Sequence, residues 1–280
     1  MDARGRYTGR LRRLLVRPGA IGDCILCFPA MEALRESYTE VWVPSVVRPL
    51  VRFANLVRPI ASTGLDLILP GRPLPLHTLE SLRGFGEIVS WYGANRPEFR
   101  EAVASLGLPF RFLDALPPAG DFRRHATEFF MNQIGFGGPV TPRIICPSVP
   151  AAREFAVIHP FSGSARKNWP VERFRAVAAR LSIPVSWCAG PEEELAEAVR
   201  FDDLFELGCW LASARLYIGN DSGITHLAAA AGTPVLAIMG RREALVWAPR
   251  GPRVKVVTGE LEDIEVDQVA EAAEELLREA

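Results

Sequence analysis

The stretch Leu216-Tyr-Ile-Gly-Asn-Asp221-Ser222-Gly223-Ile-Thr-His226-Leu-Ala-Ala-Ala-Ala-Gly232-Thr-Pro234-Val-Leu-Ala-Ile-Met-Gly240 decides the fold. A short apolar run reads as a buried strand, an alanine-rich run as a helix, and a second apolar run as another strand. Gly232 stops the helix, and Pro234 restarts an extended chain. The polar residues are all gathered at the turn between strand and helix. Ser222 and Gly223 open that helix, so its unpaired amides and positive dipole end face whatever lies beyond the strand ends. An anion is expected there. Asp221 would be an ordinary N-cap, yet His226 and Thr225 return on the first helical turn.

Two more turns of this kind lie upstream. Ala156-Val-Ile-His159 is a short buried strand, followed by the polar loop Pro160-Phe-Ser162-Gly163-Ser-Ala-Arg-Lys167-Asn-Trp169 and a helix with Pro170 at its start. The chain has 32 Lys plus Arg, but only Lys167 and Lys255 are lysines. A compact ammonium on a flexible stem suits a phosphate oxygen, and an incidental solvated cation is the other reading. Nearer the start, Leu14-Leu-Val16 is a strand, Arg17-Pro-Gly-Ala-Ile-Gly22-Asp23 a glycine-bearing loop, and Cys24 to Arg35 a helix. This βα turn is not the G-x-G-x-x-G dinucleotide fingerprint. Asp23 reads either as an N-cap or as an acid facing a ligand.

Taken in order, Arg17 to Asp23 with Pro29 to Arg35, His159-Pro through Lys167-Asn-Trp-Pro170, and Asn220 through Gly240 resemble glycosyltransferase family 9, the ADP-heptose:lipopolysaccharide heptosyltransferases. The resemblance covers the C-terminal half and roughly the first forty residues, and is weak between about 41 and 145. Three departures stand out. The turn reads Asp221-Ser-Gly where the family usually has Asp-Thr-Gly, Gly240-Arg241-Arg242 replaces Gly-Pro-Thr, and His159-Pro-Phe161 replaces a small-residue pattern. The N-terminal region is shorter than typical and lacks recognisable acceptor-binding motifs.

Composition bounds the remaining classes. The chain has 280 residues, 49% of them hydrophobic, enough for one large or two ordinary domains. No apolar run approaches the ~20 residues that span a bilayer, and the start lacks a signal-peptide core. A cytoplasmic protein is expected. Five cysteines scattered through apolar segments fit a reducing compartment. Cys24-Ile-Leu-Cys27 has redox spacing but sits in an apolar helix, so buried structural thiols are expected. The net charge of −1 argues against a nucleic-acid binder. Arg4, Arg6, Arg10, Arg12, Arg13, Arg17, Arg35, Arg48, Arg52 and Arg58 make the first part basic. They are either solvated or face an anionic acceptor or the inner membrane surface.

Alternation of elements gives the organisation. Strands are expected near Glu40 to Val43, Glu87 to Trp91 and Phe110 to Leu113. Helices are expected through Arg48 to Asn55, Glu98 to Leu106 and His125 to Ile134, and a final one over Val266 to Glu279. Gly135 to Pro142 is the best linker. The pattern therefore divides into a domain over 1–142 and another over 143–280. Both are α/β, and the last helix (266–280) is a candidate to pack back on the first. What the resemblance implies is the glycosyltransferase B fold, two Rossmann-like domains facing across a cleft with ligands beyond the strand C-termini. Asp23 would then stand on one lip, and Lys167 with Asp221 to His226 on the other.

The same resemblance implies a chemistry. Ser162, Gly163 and Lys167 look like the phosphate loop, Glu192 like the acid that holds the nucleotide ribose, and Asp221, Ser222, Gly223 and His226 like the diphosphate and sugar-hydroxyl motif. Gly22 belongs to the same constellation. Glu192 is expected to open a helix after Cys188-Ala-Gly-Pro191, where a first-turn acid also suits the helix dipole. Asp23 looks like the general base. A carboxylate is far too weak to ionise an alcohol in advance, so its proton would come late in a single inverting displacement. No Asp-x-Asp is present and the four histidines are not paired at ligand spacing, so no metal and no cofactor are expected. The expected activity is heptose transfer from ADP-heptose to a lipopolysaccharide-type acceptor. Another nucleotide sugar, an epimerase or hydrolase of this fold, and a degenerate non-catalytic donor-binding protein are the alternatives.

Overall fold

The computed structural model describes residues 11–147 and 154–279. Arg4, Arg6 and Arg10 of the basic run, and Ala280, lie outside the described residues. The chain forms two compact units, one reaching Ala20 and resuming over Ala30–Pro117, the other made of Ile21–Pro29 and the chain from Pro118.

The first unit holds β1 (Arg12–Val16), β2 (Tyr38–Val43), β3 (Leu56–Pro59), β4 (Glu87–Ser90) and β5 (Phe110–Phe112). They form one parallel sheet in the order β3-β2-β1-β4-β5. Leu14, Leu15 and Val16 are fully buried, which is the continuous apolar run that a central parallel strand requires. α2 (Leu76–Arg83) and α3 (Pro97–Ser105) contribute Leu82, Phe99 and Val103 to a core shared with Leu14, Trp42 and Ile88. The helix expected over Arg48 to Asn55 is replaced by a single 3-10 stretch, Ser45–Leu50, and then by β3. Pro49 lacks the amide that would carry an α-helix onward, and Leu56–Pro59 gains a full ladder against β2.

α1 (Ile21–Ala33) divides between the units at Pro29, where proline interrupts the helical hydrogen-bond ladder. Cys24 and Cys27 are both buried in it, as expected of structural thiols.

The second unit carries α4 (Ala126–Gln133) and a parallel sheet of β6 (Ala156–His159), β7 (Val185–Trp187), β8 (Leu216–Asn220), β9 (Val235–Met239) and β10 (Val254–Thr258). The strand order is β10-β9-β8-β6-β7. Its helices are α5 (Val171–Ala178), α6 (Leu204–Ala212), α7 (Gly223–Ala230), α8 (Arg241–Trp247) and α9 (Val266–Arg278). The final helix, a candidate to pack back on the first domain, belongs to the second unit and is buried in its core. Val269, Ala273, Leu276 and Leu277 form one stripe buried with Phe174 of α5 and with Ile218 and Ile238 of the sheet. Residues 135–142, expected to be the interdomain linker, lie inside the second unit, whose division from the first falls after Pro117.

Candidate functional site

In the second sheet the chain moves from β6 to β7 on one side and then to β8 on the other. The loops after β6 and β8 therefore leave the sheet side by side at the point where strand order reverses. Open α/β sheets place ligands at such a point. His159 lies opposite Gly219 in register, so both loops start at the same height.

Asn220 joins them. Its side chain is fully buried; Nδ2 donates to the Pro160 carbonyl at 2.7 Å and Oδ1 accepts from the Trp169 amide at 3.0 Å. One amide thus holds both ends of the loop that carries Ser162, Gly163 and Lys167. Within that loop, Ser162 Oγ bonds the Ser164 carbonyl at 2.8 Å and Asn168 Oδ1 at 2.7 Å. Lys167, in the 3-10 turn Ala165–Lys167, reaches Asp221 with Nζ 2.6 Å from Oδ2. The lysine is 47% exposed and the aspartate 8%, so the carboxylate is fixed and the ammonium remains open to an incoming anion. A Cβ at Gly163 would meet nothing within 4 Å, so space does not require glycine there.

The turn after β8 is organised by Ser222, not by Asp221. Ser222 is the N-cap of α7, its Oγ accepting from the Thr225 amide at 3.3 Å. Thr225 Oγ1 donates to the Asn220 carbonyl at 2.5 Å and lies 3.1 Å from the buried Tyr217 hydroxyl. With Ser222 doing the capping, Asp221 is left to pair with Lys167.

His226 is buried at 6% exposure, and its Nδ1 has no partner. Burial pushes its pKa down to about 4, with the Asp221 charge acting upward and His125 and Lys167 downward. The imidazole is therefore neutral near pH 7. It rests on Gly22, where a Cβ would come within 2.6 Å of its Cδ2. A Cβ at Gly223 would likewise sit 2.7 Å from Ile21 Cβ and 3.3 Å from the Gly22 amide. The first turn of α1 thus packs on the first turn of α7, within the second unit, and only glycine permits this approach. Asp23 is the next residue of that α1 turn and is half-buried. The structure accordingly gathers Gly22, Gly223 and His226, and pairs Lys167 with Asp221.

Glu192 behaves differently from its expectation. No helix begins there, and the chain runs through turns until Asp203 caps α6. Glu192 is exposed. Its neighbour Glu193 is the organised acid: Oε2 accepts from the Gly190 amide at 2.6 Å and from His159 Nε2 at 3.0 Å. Burial pushes its pKa up, but the His159 and Gly190 hydrogen bonds more than offset this and hold it below the usual value. Sequence reasoning missed Glu193, His159 and Asn220 as site residues. The run Glu192-Glu-Glu194 gave no means of choosing among acids, and the His159 and Asn220 bonds span 34 and 51–60 positions.

Among the described residues, no group of three or more His, Cys, Asp or Glu could hold a metal ion. No helix among them is long and apolar enough to cross a membrane.

Residues 141–275 match the profile of glycosyltransferase family 9 (heptosyltransferase). A stretch of 119 residues is 29% identical to lipopolysaccharide heptosyltransferase 3 of Escherichia coli, covering 35% of this chain and 34% of that protein. The match thus spans about a third of that relative's length. Among solved structures, a glycosyl transferase family 9 protein from Veillonella parvula superposes with a TM-score of 0.72 at 18% identity, over 96% of this chain and 98% of that one. The Escherichia coli heptosyltransferase WaaC with ADP gives a TM-score of 0.69 at 18% identity, over 95% and 100%. These likenesses show the fold to be the glycosyltransferase B fold, as the sequence resemblance implied.

Proposed function

We propose that this chain, whose residues 141–275 match the profile of glycosyltransferase family 9 (heptosyltransferase), is an inverting, metal-independent glycosyltransferase that moves heptose from ADP-heptose to a lipopolysaccharide core or related surface glycan. The observation that carries this reading is the Lys167–Asp221 pair, held at the strand-order reversal of the second sheet by the buried amide of Asn220. The relatives support the choice of nucleotide and sugar. One is described with ADP, and another structure of the same Escherichia coli protein is described with ADP-2-deoxy-2-fluoro heptose.

In this reading the Lys167 ammonium and the amides at the start of α7 take the diphosphate, as charge develops on the departing ADP. Ser162 and Gly163 lie on the same loop, and the exposed backbone at Gly163 allows close approach. Asp221 accepts from sugar hydroxyls, since a carboxylate offers several acceptor sites and no donor. The ribose falls to the acidic turn at Glu192 and Glu193, and Glu193 is the member that the fold has oriented. Asp23 takes the acceptor hydroxyl's proton late, as the new C–O bond forms. Gly22 lets that helix start approach His226, which stays neutral. The arginines Arg48, Arg52 and Arg58 suit an anionic acceptor or the inner membrane face, which supports the reading of a cytoplasmic protein acting at that surface.

A thermal-shift series over ADP, UDP and GDP, followed by transfer assays with ADP-heptose with and without EDTA, tests the proposal. ADP alone should raise the melting temperature, because a ligand bound only by the folded state stabilises it by RT ln(1 + [L]/Kd). EDTA should leave the rate unchanged. Equal stabilisation by all three nucleotides, or a strict requirement for a divalent cation, would count against it.

A further inference from the structure

His159 is a buried polar residue whose cost has no structural return. Only 3% of its side chain is exposed, and its Nδ1 has no hydrogen-bond partner. Its partner across 3.0 Å is Glu193 Oε2, which as a carboxylate oxygen can only accept. Nε2 must therefore carry the proton in that bond, and in the neutral ring Nδ1 keeps a bare, buried lone pair. An apolar side chain at the end of β6 would fill the same space without leaving a polar atom unsatisfied. The ring also meets Phe161 edge-on, with centroids 6.1 Å apart.

What the imidazole does accomplish is visible on the acid. Glu193 Oε2 is occupied twice, by His159 Nε2 and by the Gly190 amide at 2.6 Å. That leaves Oε1 as the oxygen available to a ligand. His159 ends β6 immediately before the loop that carries Lys167, so one strand end orients this carboxylate and starts the phosphate loop. In a nucleoside diphosphate the ribose is covalently next to the phosphates, so two adjacent groups of one ligand meet two adjacent parts of one loop.

We propose that His159 is a positioning residue, which fixes the Glu193 carboxylate through Nε2–H so that Oε1 receives the ribose hydroxyls of the donor and sets its preference for a ribonucleotide. This rests on the reading that Glu193 meets the ribose. The hydrogen bonds from His159 and Gly190 also keep the acid ionised, which leaves Oε1 a strong acceptor.

Calorimetric titration of the full chain with ADP, 2′-deoxy-ADP and 3′-deoxy-ADP tests it. The wild type should bind ADP at least about ten-fold more tightly than the analogue lacking the bonded hydroxyl, the scale of one hydrogen bond to a charged group. Glutamine places its amide where Nε2 stands and asparagine where Nδ1 stands. His159→Gln should therefore keep the ten-fold discrimination and His159→Asn should lose it, a contrast that does not depend on a more drastic variant folding. His159→Leu should behave as the asparagine variant. The inference is overturned if asparagine preserves the discrimination, if glutamine loses it, or if a variant weakens all three nucleotides by one factor, which is the mark of a merely structural role. Glu193→Ala separates the two levels. Discrimination that survives this change removes the ribose reading and the inference with it. Discrimination lost there but intact in all His159 variants removes only the role of His159.

Discussion

Asn220 has no exposed surface and no charge, yet it fixes the geometry on which the candidate donor site depends. Removing its amide strands the Pro160 carbonyl and the Trp169 amide, each a buried polar group whose desolvation costs about 1–3 kcal/mol. Asn220→Ala should therefore lower stability by about 2 kcal/mol or more and also weaken ADP binding, as read from a denaturant midpoint and a titration. Unchanged ADP affinity would separate the staple from the site. Lys167→Ala should weaken nucleotide binding, whereas Asp23→Ala should leave binding nearly intact and abolish turnover. Gly22→Ala puts a methyl 2.6 Å from the His226 ring, whose burial leaves it little room to move, so turnover should drop sharply while the fold persists. Lys167 and Asp221 were legible at their turns because Lys167 is one of two lysines and Asp221 ends an apolar run, whereas Asp23, read in a loop, lies inside α1, which already begins at Ile21. Asn220, His159 and Glu193 were not, since each acts through a partner that the linear chain places far away or among identical neighbours.

At the scale of elements, periodicity and stop signals carried most of the reading. The strands at Ala156–His159 and Leu216–Asn220, the helix between Ser222 and Gly232, and the amphipathic last helix are where the pattern placed them. β3 was hidden because Leu56–Pro59 alternates weakly, with no residue fully buried, and earns its place only by pairing with β2. The turns over 191–203 were read as a helix start because Pro191 followed by acids imitates one. Gly232 ends α7 at φ +94°, so Gly232→Ala should cost about 1 kcal/mol, detectable as a small loss of melting temperature without loss of ADP binding. Leu276, 4% exposed in the core beneath α9, should cost about 2–5 kcal/mol when changed to alanine. A near-neutral result would place that helix elsewhere.

Over the whole molecule, two buried histidines couple stability to pH. His125 caps α4 by accepting the Thr127 amide on Nδ1 at 3.2 Å, while Nε2 meets the Ala248 carbonyl at 2.8 Å. Burial lowers its pKa from 6.5 to about 4, partly opposed by the Ala248 bond, and His226 is lowered to about 4 as well. The unfolded chain then binds more protons than the folded one between these values. Stability is full above pH 6.5 and falls as pH drops toward 4, by at most about 3 kcal/mol per histidine. His125→Asn keeps a capping group but removes one titration, so the slope of stability against pH over this window should fall by about one proton. An unaltered slope would show that His125 titrates normally. The division of α1 has a consequence for dissecting the protein. The chain leaves the first unit at Ile21, returns at Ala30 and departs again at Pro118. A fragment expressed from residue 118 onward would lack nine residues of its own interior, Cys24 to Phe28 among them, and would bare the glycine face beside His226. Such a half-protein should be poorly soluble and should regain nucleotide affinity only when a peptide spanning 21–29 is supplied in trans.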